Sequence, residues 1–329
     1  MIQWHNGIAQ LTIPTPFAVG DVHIYLIKGE RLTLVDTGPK TEEAWRSLLD
    51  QLNELELTPT DIEQIVLTHH HPDHAGLIEC FDQATVWGAK ETNRWLTRES
   101  SFMQDHDQFY RSLFQQVGLP SSYFILIDKM KVPLSMLGLR GLDGVLADQD
   151  GLPGEKGWTV IETPGHAQGH ISLLRESDGI LIGGDVLLDK VSSNPLVEPP
   201  HAEGEARPLS QLQYNASLER LLTLPITTVL PGHGPLVTDS HGLIQERLKK
   251  QHDRAMHVKE LLAEKEMTAF DLCVLLFPAV YKEQLGLTLS ETVAQLDYLL
   301  ERKEIEEIKQ TDGSIVYRAL HITKGHVYE

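Results

Sequence analysis

The stretch IVLTHHHPDHAG, residues 65–76, places four histidines and one aspartate within six positions directly after an apolar run. In extended chain, residues two apart point to the same side, so His69 and His71 face one volume. Asp73 and His74 follow at a turn into a helix, which re-aims two more donors toward that volume. The pattern is His-x-His-x-Asp-His. Imidazole and carboxylate donors in this number suit zinc, manganese or iron, and they exceed what one catalytic ion with an open position can use. Two ions are therefore expected, and three later residues offer the remaining donors: His166 in TPGHAQGH, Asp185 in IGGDV and His233 in LPGHGP. Each follows an apolar run and has glycine beside it (Gly165, Gly184, Gly232, Gly234), which permits tight turns.

The chain around this constellation has 329 residues, enough for one large and one small domain. Short β-rich runs alternate with amphipathic helices through residue 244. VHIYLIKGERLTLVDTG (22–38) reads as two strands about a turn, TEEAWRSLLDQL (41–52) as a helix capped by Thr41, and IEQIVLTH (62–69) as the strand that delivers the histidines. After Gly242 the texture becomes three helices and a terminal hairpin about a TDGS turn. Apolar positions Leu272, Leu275, Leu296 and Leu299 are expected to pack inward there. Cys80 and Cys273 lie in apolar contexts and read as reduced core residues.

The formal charge is −19. Residues 1–244 carry 16 Lys and Arg against 32 Asp and Glu, and residues 245–329 carry 12 against 15. An acidic body repels phosphate backbones at long range, which disfavours nucleic acid as a partner. Glu291, Asp297 and Glu301 on the third C-terminal helix point the same way. No apolar run approaches the roughly 18 residues of a membrane span, and MIQWHNGIAQ lacks signal-peptide order. A cytoplasmic protein with no membrane partner is expected, with a small-molecule substrate and a second subunit as candidate partners.

The succession of HHHPDH, Gly-His, Gly-Asp and Gly-His-Gly resembles that of the metallo-β-lactamase-fold hydrolases. The resemblance implies an α+β fold, an αββα sandwich over residues 1–244, with the site at the edge between the sheets. It implies one ion held by His69, His71 and His166, another by Asp73, His74 and His233, and Asp185 bridging them. Asp36 in VDTG would orient a ligand from behind. Residues 245–329 look like the winged-helix domain of the lactamase-β-like branch, some members of which cut single-stranded RNA. Where many relatives carry Asn in the second strand, this chain has His23.

Two divalent ions, zinc first and manganese or iron as alternatives, would make hydroxide available at neutral pH, so hydrolysis is the expected reaction. Asp73 would hold the nucleophile, and His170 is a candidate proton donor to the leaving group or a partner that supports the ligands from behind. The substrate expected is a small ester, thioester or lactone. Alternatives are a single-strand endoribonuclease and an iron-dependent redox protein or metal-sensing DNA-binding regulator. Neither a Gly-x-Ser-x-Gly elbow nor a Walker loop competes. The segments 98–116 and 189–200 are candidate substrate walls.

Overall fold

The strands that carry the site are apolar on both faces, as strands covered on both sides must be. The structure, a computed structural model, describes residues 2–202 and 204–320. Strands β1 (Ile8–Ile13), β2 (Val22–Lys28) and β3 (Leu32–Val35) form an antiparallel meander, and helix α1 (Glu42–Glu54), capped by the Thr41 side chain, leads to β4 (Gln64–Val66). Helix α2 (Pro72–Ala75) precedes β5 (Thr85–Gly88). Helices α3 (Lys90–Thr97), α4 (Ser100–Gln116) and α5 (Leu126–Met130) then lead to the short β6 (Gly144–Val145). These six strands make one sheet in chain order, with β3 to β6 mutually parallel. Strand β1 is an addition to the sequence reading, and β4 is shorter than the 62–69 run.

The second sheet has the order β10-β9-β8-β7, from β7 (Trp158–Glu162), β8 (Ile171–Arg175), β9 (Ile180–Gly184) and β10 (Thr228–Pro231), with α6 (Ser210–Leu221) crossing between β9 and β10. Because β8 is antiparallel to both β7 and β9, and β10 is parallel to β9, strands β7, β9 and β10 all run the same way. Their carboxyl ends share one edge. Ile27, Val35 and Val66 of the first sheet meet Val160, Leu173 and Ile182 of the second in a buried layer. Leu48 and Leu52 of α1 cover the outer face of the first sheet, and Tyr214 and Leu218 of α6 cover that of the second. The result is an α+β sandwich of helix, sheet, sheet and helix.

The remaining residues form α7 (Ser240–Glu264), β11 (Met267–Thr268), α8 (Ala269–Leu276), α9 (Leu285–Glu301), β12 (Ile305–Lys309) and β13 (Ile315–Ala319), with sheet order β11-β13-β12. Residues 321–329 of the anticipated C-terminal domain lie outside the described residues. Helix α7 runs unbroken through the anticipated boundary at 244/245. Its Ile244 packs in the outer core of the second sheet, whereas its Ala255, Val258 and Leu262 pack with Tyr110, Phe114 and Ile127 of α4 and α5.

Two packing expectations need correction. Leu272, Leu296 and Leu299 are buried, but Leu275 is 55% exposed, because it lies off the arc of α8 that Ala269, Leu272 and Cys273 turn inward. Cys80 is exposed at the end of a single 3-10 turn, while Cys273 is buried, and both are free thiols.

The shared core generates a prediction. Phe114→Ala lies outside the C-terminal module yet should cost the whole chain about 3–5 kcal/mol. Calorimetry should show one transition, lowered as a unit; two transitions, of which only one moves, would show that the parts fold separately.

Candidate metal centre

Five of the seven anticipated donors follow a strand end, and the other two, Asp73 and His74, lie in α2. His69 and His71 follow β4, His166 follows β7, Asp185 follows β9 and His233 follows β10. Pro72 occupies the first position of α2, where its missing N–H costs nothing, and it starts the turn that directs Asp73 and His74 inward. His70 goes the other way, as alternation along extended chain requires, and stacks on Trp95 with ring centroids 4.5 Å apart.

Two groups of donors result. His69 Nε2 lies 2.9 Å from His71 Nδ1, which lies 3.0 Å from His166 Nε2. Tetrahedral bonds of ~2.0–2.1 Å place ligand nitrogens roughly 3.3 Å apart, so this triangle needs little opening to take an ion. In the other group His233 Nε2 is 3.3 Å from Asp73 Oδ2, with His74 alongside. Asp185 stands between them: Oδ1 is 3.5 Å from His74 Nε2 and Oδ2 is 3.5 Å from His166 Nε2. His74 Nε2, His233 Nε2 and Asp185 Oδ1 are all buried without a hydrogen-bond partner. Three orphaned polar atoms aimed at one volume are costly unless something binds them. The donor set therefore fits divalent cations.

The far side of most rings is committed, which fixes the tautomer. Thr68 Oγ1 donates to Asp36 Oδ2 at 2.7 Å, so it accepts from His69 Nδ1 at 3.0 Å and leaves Nε2 with its lone pair inward. His166 Nδ1 donates to the Asn194 carbonyl at 3.0 Å, and His233 Nδ1 to that of Asp21 at 2.8 Å. His74 Nδ1 donates to Asp36 Oδ2 at 2.8 Å. Asp36 is 2% exposed and also accepts from the Thr68 N–H at 2.8 Å. It thus holds His74 directly and His69 through Thr68. His23 is neither open nor a donor to the centre: Nε2 donates to the Gly234 carbonyl at 2.9 Å, steadying the loop that carries His233.

Burial pushes the His69 and His71 imidazoles well below the usual histidine range and lowers His166. For His74 burial acts the same way, but the carboxylates of Asp185, Asp36 and Asp73 outweigh it and raise the group well above that range; His233 is also raised. Burial would raise Asp185, yet His74, His233 and His166 hold it well below the carboxylate range. His69, His71 and His166 are therefore held neutral, while His74 and His233 favour positive charge beside the carboxylates.

His170 requires a correction as a proton donor. Its Nε2 accepts from the Asp185 N–H at 3.0 Å and so carries no proton. Its Nδ1 donates to Thr163 Oγ1 at 2.8 Å, and burial lowers its pKa to about 3. It positions the Asp185 backbone instead. Gly232 is required nearby for space: a Cβ there would stand 2.3 Å from Asp185 Oδ1.

The donors open onto a cleft of about 610 Å³. Val191, Ser192 and Ser193 line it, as expected of segment 189–200, and Arg254, Leu287 and Glu291 of the C-terminal module line it too. Segment 98–116 instead lines an adjoining chamber. Thr68 is a functional residue absent from the sequence reading, and its adjacency to the first ligand could have flagged it.

Residues 18–233 match the family model of the metallo-beta-lactamase superfamily. The chain is 42% identical over 315 residues to the protein named "Probable metallo-hydrolase YqjP" of Bacillus subtilis (strain 168), covering 95% of this chain and 97% of the relative. A metallo-beta-lactamase family protein from Thermus thermophilus superposes with a TM-score of 0.80 at 28% identity, covering 96% of this chain and 99% of that one. A beta-lactamase domain protein from Burkholderia ambifaria gives a TM-score of 0.79 at 26% identity, with 97% and 94% covered. The matches extend over the C-terminal module, and with the donor geometry they show that the chain belongs to the metallo-beta-lactamase superfamily.

Proposed function

We propose that the protein is a binuclear metal-dependent hydrolase of a small ester, thioester or lactone, with zinc as the first candidate metal. The observation that carries this reading is the pair of donor groups sharing Asp185, with three buried atoms left without partners. His69, His71 and His166 would hold one ion, and Asp73, His74 and His233 the other. Such ions supply acidified water, its pKa lowered toward ~7, and polarisation of the carbonyl under attack. The chain's own groups do the rest. Asp73 Oδ2, at the cleft floor, orients the attacking water by accepting its hydrogen bond. Asp36 and Thr68 keep the ligand lone pairs aimed inward. Val191, Leu196 and Leu287 give the cleft an apolar wall beside the reacting carbonyl.

Residues 245–329 are read as a winged-helix-like module serving as one wall of this cleft. Helix α9, the element that would enter a nucleic-acid groove, faces the protein interior: its Glu291 pairs with Arg254 and its Asp297 with Arg207. No described helix is long and apolar enough to cross a membrane.

Two tests follow from the site. Plasma mass spectrometry of protein purified without chelator should find two ions per chain, and chelation should abolish ester or thioester hydrolysis and lower the melting temperature, because an ion bound only by the folded state stabilises it. Saturation at one ion would exclude the binuclear centre.

Asp185→Asn should remove more activity and more metal than His170→Gln. The latter alters only support of the Asp185 backbone, for which about 10–100-fold is the usual scale. Equal losses in kcat and metal content would assign His170 a direct role.

A further inference from the structure

A second cavity, of about 520 Å³, adjoins the metal cleft, and the two share Phe17, His71, Pro72, Leu196, Gln284 and Leu287. Its volume falls in the range of roughly 300–1,000 Å³ that encloses a small organic ligand. The inner wall is built from Trp95, Tyr110 and Phe114 of α3 and α4, Leu126 and Met130 of α5, and Leu289 of α9. The polar tips of Tyr110 and Trp95 are already spent, although His70 Nδ1, which also borders the chamber, is buried without a partner. Tyr110 donates to the Val197 carbonyl at 2.7 Å and Trp95 Nε1 to Glu198 Oε2 at 3.2 Å. The Glu198 carboxylate also accepts from the Gln168 N–H at 2.9 Å. What these side chains offer an occupant is ring face and hydrocarbon. Lys129 and Lys282 also line the cavity and are themselves solvent-exposed. Leu287, 45% exposed, stands at the junction with the metal cleft.

We propose that this chamber receives an unbranched alkyl chain attached to the scissile carbonyl, so that the substrate is an ester or thioester of an aliphatic acid. The proposal rests on the hydrolase reading above, because the chamber branches from the cleft beside His71. The other branch, which carries Arg254, Ser192 and Asn194, is left for the leaving group. The chamber is the specificity element: each methylene moved from water into it adds about fourfold to affinity until its depth is used.

The test reads binding and needs no turnover. The full-length protein is titrated with anilinonaphthalene sulfonate, which is then displaced by butyrate, octanoate and dodecanoate, with octanol as a second arm. Octanoate should bind on the order of a hundredfold more tightly than butyrate. Octanol matching octanoate at every variant would place the chain on the alcohol side and overturn the acyl assignment. Gly286 lines the chamber, and a Cβ there meets no heavy atom within 4 Å. Gly286→Phe should therefore fill the space and reduce the octanoate advantage at least about tenfold, while Gly286→Ala retains it. Leu126→Ala, which enlarges the chamber, should extend the gain to dodecanoate. A flat series in the unaltered protein, or a steep one that Gly286→Phe leaves unchanged, overturns the proposal. A steep series without hydrolysis of octanoyl thioesters sinks the hydrolase reading and supports the chamber, whereas hydrolysis of acetyl esters with a flat series does the reverse.

Discussion

The carboxylate of Asp36 is the contact on which the centre depends. It is buried and accepts three hydrogen bonds, from the Thr68 N–H, the Thr68 hydroxyl and His74 Nδ1. To reach them its backbone adopts a left-handed φ of 62°. That conformation costs a non-glycine residue roughly 1–2 kcal/mol and persists only where the surroundings demand it. Here they do. The three bonds join the end of β3 to the end of β4 and to α2, and the Thr68 carbonyl in turn accepts from the Ile171 N–H at 2.8 Å, reaching the second sheet. One carboxylate thus fixes the rotation of two imidazoles and the meeting point of the two sheets. Replacing it with a neutral side chain would release both rings at once.

The second sheet is fastened to the first by an equally local device. The loop after β10 must place His233 opposite Asp73, and strand β2 holds it there at several points. Tyr25 donates to the Pro231 carbonyl at 2.7 Å, His23 to that of Gly234, and the His23 N–H to that of Gly232 at 2.7 Å. These bonds run from side chains and backbone of one sheet to carbonyls of the other. The donors therefore converge across a sandwich seam rather than along one element, which is why Asp73 and His233, far apart in the chain, share one small volume.

How much of this was legible depends on where each piece of information is stored. The donors were legible because a ligand must be a particular residue type, and glycine must stand where a Cβ would strike the cluster, as at Gly232. The partners behind the rings were not. The Asn194 and Asp21 groups that orient His166 and His233 are backbone carbonyls, which any residue supplies, so no side-chain pattern marks them. The role of His170 stayed open between proton donor and support because its spacing from His166 says nothing of which ring nitrogen is occupied; only the Asp185 N–H aimed at Nε2 decides that. Leu275 and Cys80 looked buried from their neighbours in the chain, whereas burial depends on the arc of a short helix or a single turn against its support.

The C-terminal module shows how an element list legible in the sequence leaves the seating of its helices open. Three helices and a hairpin were legible, and so was the acidic character of α9, which argued against a nucleic-acid reader. The structure buries Glu291 and Asp297 and leaves Glu301 exposed. Asp297 is 6% exposed and takes Arg207 in a two-pronged contact, with Nη1 at 2.7 Å, while Glu291 lies against Arg254. Buried pairs add little net stability, because desolvation offsets their attraction, but breaking one leaves an uncompensated charge. Their effect is on orientation. A rotation of α9 by one residue would strand both carboxylates in the interface with α6 and α7, so the helix has a single seating. That seating puts Leu287 and Leu289 over the cavities beside His71, and the module becomes part of the site it borders.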